Sequence, residues 1–106
     1  MESILGAIDL ARTNELDAVV TAPLNKEAIH LAGYRFAGHT EIFAERTGSR
    51  NYALMLVAGR LRVLHVSTHV SLREACDLVR KDRVLQVIHL AHDAAAAWGL
   101  RRPRIG

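Results

Sequence analysis

The sequence predicts an α/β fold in which short strands alternate with helices. Apolar, β-branched runs recur along the chain, and the segments between them repeat their apolar residues every three or four positions. Alternation of this kind is typical of α/β sandwiches. The chain has 106 residues, half of them apolar, so we expect a single α/β domain over residues 1–106.

The first two predicted elements are a helix and a strand. Residues 3–12 space their apolar side chains as one face of a helix does, and the polar residues that follow end the pattern. Residues 16–23, LDAVVTAP, form a β-branched run closed by Pro23. Such a run predicts a buried strand.

Two short helices are predicted next, each ended by a glycine. Asn25 is a candidate N-cap for a helix through Ala32, with Gly33 as its C-terminal stop. Residues 40–47 predict a second helix that ends at Gly48.

The next apolar runs predict strands. YALMLVAG and LRVLHVSTH meet at Gly59-Arg60, and so short a separation favours a hairpin or two neighbouring strands. Residues 103–105 resemble the entry to one more strand.

Two helices are predicted between residues 71 and 99. Ser71 and Glu74 match a capping box, which predicts a helix beginning at Leu72. Asp82 is a candidate N-cap for the last helix, and Gly99 ends it. The apolar face of the last helix is formed by Val84, Ile88, Ala91, Ala95 and Trp98.

Composition excludes several classes of protein. The net charge is +3, but apart from Arg101, Arg102 and Arg104 the basic residues are spread out, whereas nucleic-acid binding favours a clustered basic face. No apolar run is long enough to cross a membrane, and the first residues lack a secretory signal. Cys76, the single cysteine, fits the reducing cytoplasm, and we expect it in the core.

His69 is a candidate metal ligand. It lies between a predicted strand and the helix start at Ser71, and open α/β sheets bind ligands outside the carboxyl ends of their strands. A neutral imidazole there could bind a divalent metal or exchange protons. The alternative is a histidine that only hydrogen-bonds its loop.

The stretch FAGHTEIF is a candidate anion site. His39 and Thr40 lie at a predicted helix N-terminus, where free backbone N–H groups favour a phosphate or carboxylate. Lys26, at the start of the preceding helix, could meet the same anion. The alternative is that Thr40 is an ordinary N-cap and His39 a loop residue.

The remaining histidines favour structural interpretations. His89 and His92 share a helix face at the surface, while His30 and His65 are expected on a helix face and in a strand. No GxGxxG follows the first predicted strand, so a Rossmann nucleotide site is not supported.

Taken together and in order, TAPLNKEAI, GHTEIFAERTG, MLVAGRLRVLHVSTHVSLREA and RPRIG resemble the PdxA family. These are 4-hydroxythreonine-4-phosphate dehydrogenases and relatives that oxidise threonate or erythronate 4-phosphates. The resemblance runs from about Leu5 to the last residue. The segment LHVSTHVSLREAC is more similar to the sugar-acid branch of the family than to the vitamin B6 branch. The resemblance implies an α/β/α sandwich of the isocitrate/isopropylmalate dehydrogenase type.

The resemblance also implies a site. His39 and Thr40 match the family's substrate-binding pair, Lys26 a position near the site, and His69 one of the metal-ligand histidines. A divalent ion such as zinc, magnesium or cobalt would hold the substrate, hydride would pass to NAD or NADP, and the oxidised acid could lose carbon dioxide. No residue of this chain is assigned as the catalytic acid or base.

The matched motifs cover only an internal third of the family's length. The segments that carry the other metal histidines and the phosphate-binding basic residues do not occur here, and the family's site is shared between two subunits of a homodimer. We therefore expect these residues alone to be an inactive piece of a dehydrogenase. The alternatives are a truncated relative that acts as an oligomerising or small-anion-binding module, and a metal-dependent hydrolase or lyase that uses His65 beside His69.

Overall fold

The computed structural model describes residues 1–106 and divides them into two compact units, Met1–Arg50 and Asn51–Gly106. The structure contains both helices and strands, as predicted, but its strands form one antiparallel pair and do not alternate with the helices. The prediction of a single domain over residues 1–106 stays a prediction. In chain order the elements are α1 (Glu2–Arg12), α2 (Lys26–Leu31), α3 (His39–Thr47), β1 (Met55–Ala58), β2 (Leu61–Leu64), α4 (Leu72–Leu78) and α5 (Lys81–Ala97).

The core of the N-terminal unit lies where α1 and α3 pack together. Ile8 of α1 and Ile42 of α3 are each 1% exposed, and Ile29 of α2 is also buried. Burial of side chains of this size stabilises a unit by about 1.5–3 kcal/mol each. The start of α3, which carries His39, is therefore held by the packing of its own helix.

Local sequence signals set the ends of these helices as predicted. The Asn25 side chain accepts a hydrogen bond from the backbone N–H of Ala28 at 3.0 Å, which caps α2. Gly33 follows α2 with φ +87° and Gly48 follows α3 with φ +68°. A left-handed residue at this position satisfies the last carbonyls of a helix, and glycine adopts it without steric cost.

Two predicted strands are wrong. Residues 16–23 and 103–105 contain no strand, and Val20 is 95% exposed. A strand exists only when a neighbour completes its backbone hydrogen bonds, and the N-terminal unit contains no strand with which residues 16–23 could pair. The composition of the run therefore favoured an extended backbone but could not supply its partner.

In the C-terminal unit β1 and β2 form the predicted hairpin. The strands are antiparallel, with Met55 opposite Leu64 and Ala58 opposite Leu61. Gly59 begins the two-residue turn with φ +57°. A positive φ at the first turn position matches the twist of the flanking strands, which explains the glycine there.

The capping box is confirmed, and α4 begins at Leu72. The start of α5 was predicted wrongly, because Arg80 rather than Asp82 occupies the N-cap. Cys76 is exposed rather than part of the core, since no residue of α4 is buried.

The predicted apolar face of α5 is only partly buried. Ala95 is buried, whereas Ile88 is 40% and Trp98 51% exposed, and Val87, which is also buried, was not part of the predicted face. The Trp98 ring instead meets the Arg62 guanidinium, whose carbon lies 5.0 Å from the ring centroid. A cation over an indole face is favourable even near the surface, so this contact substitutes for burial. No helix of the structure combines the length and apolar character of a membrane span.

Candidate functional site

The first turn of α3 brings three chemically capable side chains together. Gly38 is the N-cap, so His39, Thr40 and Glu41 are the first three residues of the helix. The interpretation of Thr40 as the N-cap and of His39 as a loop residue is therefore wrong. No side chain caps this N-terminus. Its backbone N–H groups and the positive end of the helix dipole thus stay available to a ligand.

Two side-chain atoms in this turn are buried without a hydrogen-bond partner. They are Nε2 of His39 and Oε2 of Glu41. Buried polar atoms nearly always have partners, because desolvation without one is costly. These two atoms suit a ligand with two polar groups. One would be a hydrogen-bond partner for the imidazole of His39, and the other a hydroxyl that donates to the carboxylate of Glu41. The sequence interpretation placed Glu41 beside His39 and Thr40 but assigned it no role, and the burial of its Oε2 could not be predicted from the sequence.

Lys26 occupies the first position of α2. Its side chain is exposed and makes no ion pair. It therefore keeps a free ammonium group, as an anion-binding role requires, but no contact joins it to His39 or Thr40.

The turn between α2 and α3 borders an open cavity of about 600 Å³. His30 Nε2 lies 3.1 Å from the backbone oxygen of Phe36 and so ties the end of α2 to this turn. His30 thus lies on a helix, as expected of it. The lining residues are His30, Gly33, Tyr34, Arg35, Phe36 and Ala37.

His69, in the C-terminal unit, has a left-handed backbone with φ +60°. This region is uncommon for residues other than glycine, although histidine is among those enriched there. The side chain is exposed, and its ring takes part in none of the hydrogen bonds of the loop. The alternative of a histidine that only hydrogen-bonds its loop is therefore not supported. The imidazole is free to meet a ligand.

The chain offers a metal one donor rather than a complete site. No group of three or more His, Cys, Asp or Glu side chains is arranged to hold an ion. His65 lies just after β2, and its Nδ1 is 3.3 Å from the backbone oxygen of Leu54. Because zinc sites need three or four protein ligands, a hydrolase site built on His65 and His69 is not supported. His69 fits a divalent ion as one ligand among others.

Arg83 of α5 is a further polar residue that the sequence interpretation missed. Its Nε donates to the Val66 oxygen at 3.0 Å and its Nη2 to the Tyr52 oxygen at 3.1 Å. The available sequence signal was the spacing of Arg83 and Gln86, which are three positions apart and so lie on one face of α5. Sequence spacing alone could not show that this face meets the backbone on either side of the hairpin.

The model of the family described as "Pyridoxal phosphate biosynthetic protein PdxA" matches residues 1–106. The chain belongs to the PdxA family. The resemblance that the sequence motifs indicated is thereby confirmed.

Curated PdxA relatives carry two kinds of name. A "D-threonate 4-phosphate dehydrogenase" of Pectobacterium atrosepticum is 48% identical over 99 residues, which is 93% of this chain and 30% of the relative. A "4-hydroxythreonine-4-phosphate dehydrogenase" of Beijerinckia indica is 41% identical over 104 residues, which is 98% of this chain and 31% of the relative. The chain thus spans about a third of the length of the curated relatives it matches.

Solved PdxA structures share the fold of this chain. A 4-hydroxythreonine-4-phosphate dehydrogenase from Klebsiella pneumoniae matches with a TM-score of 0.86 and 42% identity, over 95% of this chain and 30% of that one. Another from Burkholderia phymatum matches with a TM-score of 0.81 and 41% identity, over 99% of this chain and 32% of that one.

Proposed function

We propose that this chain forms part of an NAD- or NADP-dependent dehydrogenase that oxidises the secondary alcohol of a 4-phosphorylated hydroxy acid, with decarboxylation of the product. Membership of the PdxA family supports this, as do the names of relatives that act on D-threonate 4-phosphate or 4-hydroxythreonine 4-phosphate. On this proposal the chain is part of an α/β/α sandwich of the isocitrate/isopropylmalate dehydrogenase type in a cytoplasmic homodimer, with the site shared between subunits.

The observation that carries the proposal is the buried, unpartnered Nε2 of His39 at the uncapped start of α3. His39 would hydrogen-bond an oxygen of the substrate, while Thr40 and the backbone N–H groups of this turn bind its anionic part. The exposed ammonium of Lys26 would add positive charge to the approach. Together these groups orient the substrate rather than perform the chemistry.

His69 would supply one ligand of a divalent ion such as zinc, magnesium or cobalt. When bound, such an ion polarises a coordinated oxygen and stabilises the charge that develops on it. The free ring and exposed position of His69 support this role.

A second candidate is a non-catalytic relative that binds small anions or forms oligomers. It is favoured by one observation: the start of α3 is intact, whereas the chain contains no complete metal site. The intact mass of the protein from its source cell, measured under denaturing conditions, distinguishes the two. A mass near that of this chain alone would support the second candidate.

Dehydrogenase activity is measured on the full-length product of the gene that encodes this chain. D-threonate 4-phosphate and 4-hydroxythreonine 4-phosphate are each supplied with NAD or NADP and with Mg²⁺, Zn²⁺ or Co²⁺, and reduced nicotinamide is followed by absorbance. We expect His39→Ala to raise KM and His69→Ala to weaken metal activation. The exposed His89 of α5 provides the control variant His89→Ala. A rate unchanged in both His39→Ala and His69→Ala would overturn the proposal.

A further inference from the structure

We propose that Arg83 is a positioning residue that fixes the loop carrying His69, so that the His69 ring is presented in one place to its metal. This inference rests on the proposed role of His69 as a metal ligand. It concerns a residue on a different element, α5, whose guanidinium reaches the loop through the backbone oxygen of Val66 at 3.0 Å.

The contacts of Arg83 need the full fork of an arginine. Nε donates to Val66, Nη2 donates to Tyr52 at 3.1 Å, and Nη1 donates to the side chain of Gln86. Gln86 in turn donates to the side chain of Asn51. One planar group thus joins α5 to the segment entering β1 and to the segment leaving β2. A lysine has a single ammonium group and cannot reproduce these directions.

The loop is anchored on both sides of His69. Val66 is held by Arg83 three positions before it, and Ser71 is held by Glu74 two positions after it. Between these anchors His69 adopts its left-handed conformation. So short a span leaves the chain little freedom, and the surroundings therefore determine a backbone state that most residues avoid.

The consequence for metal binding is pre-organisation. A ligand that is already held in place loses less conformational entropy when it binds. Groups outside the ligand set that orient a ligand typically change metal affinity 10–100-fold. Because Arg83 acts through the backbone and not on the ring itself, we expect an effect at the lower end, about tenfold.

The test uses the protein as its own gene encodes it, with Co²⁺ alone as the probe. Co²⁺ affinity is measured by titration of its visible absorption, and loop order by amide hydrogen exchange of residues 66–70. The variants are Arg83→Leu, Arg83→Lys, Arg83→Ala and His69→Ala. Arg73→Leu is the matched control. It removes the same charge from an exposed residue of α4 near the same loop.

We expect Arg83→Leu to speed exchange in residues 66–70 and to weaken Co²⁺ binding about tenfold, with Arg73→Leu unchanged in both. Arg83→Lys should remain impaired. Added guanidinium, but not potassium at equal ionic strength, should restore Co²⁺ affinity to Arg83→Ala. Restoration by the missing group is not expected if Arg83 only contributes to general stability.

Three outcomes would overturn the inference, and they are distinguishable. If His69→Ala loses Co²⁺ affinity while the Arg83 variants keep wild-type affinity, Arg83 does not position the ligand and the proposed function stands. If exchange rises uniformly over residues 51–106 and guanidinium restores nothing, Arg83 is merely structural. If His69→Ala binds Co²⁺ normally, the metal role of His69 fails and this inference fails with it.

Discussion

Arg46 of α3 donates two hydrogen bonds to the carboxylate of Asp9 in α1, from Nε to Oδ1 at 3.0 Å and from Nη2 to Oδ2 at 2.6 Å. Asp9 directly follows the buried Ile8, and Arg46 lies one turn after the buried Ile42. The pair therefore joins α1 and α3 beside the core that they form. Both side chains are 45% exposed, so water and salt weaken the attraction, but its bidentate geometry favours a single packing of the two helices.

This pair predicts a pH dependence of stability. The hydrogen bond from Arg46, followed by its positive charge, lowers the pKa of Asp9 below the ordinary value of 3.8. A carboxyl whose folded pKa is depressed stabilises the fold fully above its unfolded pKa and loses that stabilisation as pH falls through the folded pKa. Asp9→Asn should therefore destabilise the N-terminal unit at pH 7 and have less effect near pH 3.

Urea unfolding at both pH values measures the effect, and NMR titration of the Asp9 carboxyl measures the pKa directly. Asp17→Asn is the control, because Asp17 is exposed and makes no ion pair. An Asp9 carboxyl that titrates at 3.8 or above would show that the pair does not persist in solution.

Two glycines should respond in opposite directions to alanine. Gly6 lies within α1 with open space where a Cβ would be, so Gly6→Ala should raise the free energy of unfolding by about 0.5–1 kcal/mol. Gly48 has φ +68° after α3, so Gly48→Ala should lower it by about 1 kcal/mol. Thermal or urea unfolding of the two variants side by side decides the matter. Equal effects would mean that backbone conformation does not determine the preference at Gly48.

The sequence predicted those parts of the fold whose signals lie within three or four residues. Asn25 caps α2 through a residue three positions ahead, Ser71 and Glu74 form a closed pair, and Gly48 ends α3 through its own dihedral angle. Each of these contacts is local, so the residues that make it are neighbours in the sequence.

The parts that could not be predicted depend on distant residues. Residues 16–23 could form a strand only beside a second strand, which their unit lacks. Trp98 contacts Arg62 of the hairpin instead of being buried. Cys76 is exposed because no surface of its unit covers it. In the site, the motifs identified His39, Thr40 and His69 as candidates. The hydrogen bond from Arg83 to the backbone oxygen of Val66 joins residues 17 positions apart, and no local sequence pattern indicates it.

The capping box of α4 should stabilise the loop that carries His69. Ser71 Oγ accepts from the Glu74 N–H at 3.3 Å, and Glu74 Oε2 accepts from the Ser71 N–H at 2.9 Å. Ser71→Ala should cost about 1 kcal/mol of unfolding free energy. The hydrogen bonds from Ser71 lower the pKa of Glu74, so the contribution of Glu74 should be present at neutral pH and lost in acid.

Circular dichroism and urea unfolding report the loss, and Ser71→Asp is the matched variant because aspartate also caps well. If Ser71→Asp is as unstable as Ser71→Ala, the side-chain oxygen at this position does not stabilise the helix.

The ring of His69 should contribute to metal binding and not to the stability of the fold. With φ +60° its backbone disfavours a side chain, at roughly 1–2 kcal/mol for a bulky residue, while glycine would relieve this but lose about 0.5–1 kcal/mol through unfolded-state entropy. His69→Gly should therefore unfold with the same free energy as the wild type or with up to about 1.5 kcal/mol more. His69→Val should be destabilised, and both variants should lose Co²⁺ affinity. Val70→Gly, at a neighbouring exposed position without a positive φ, is the control and should be destabilised by about 0.5–1 kcal/mol. A clear loss of stability in His69→Gly would instead give the ring a structural role and remove the reason to assign it to a metal.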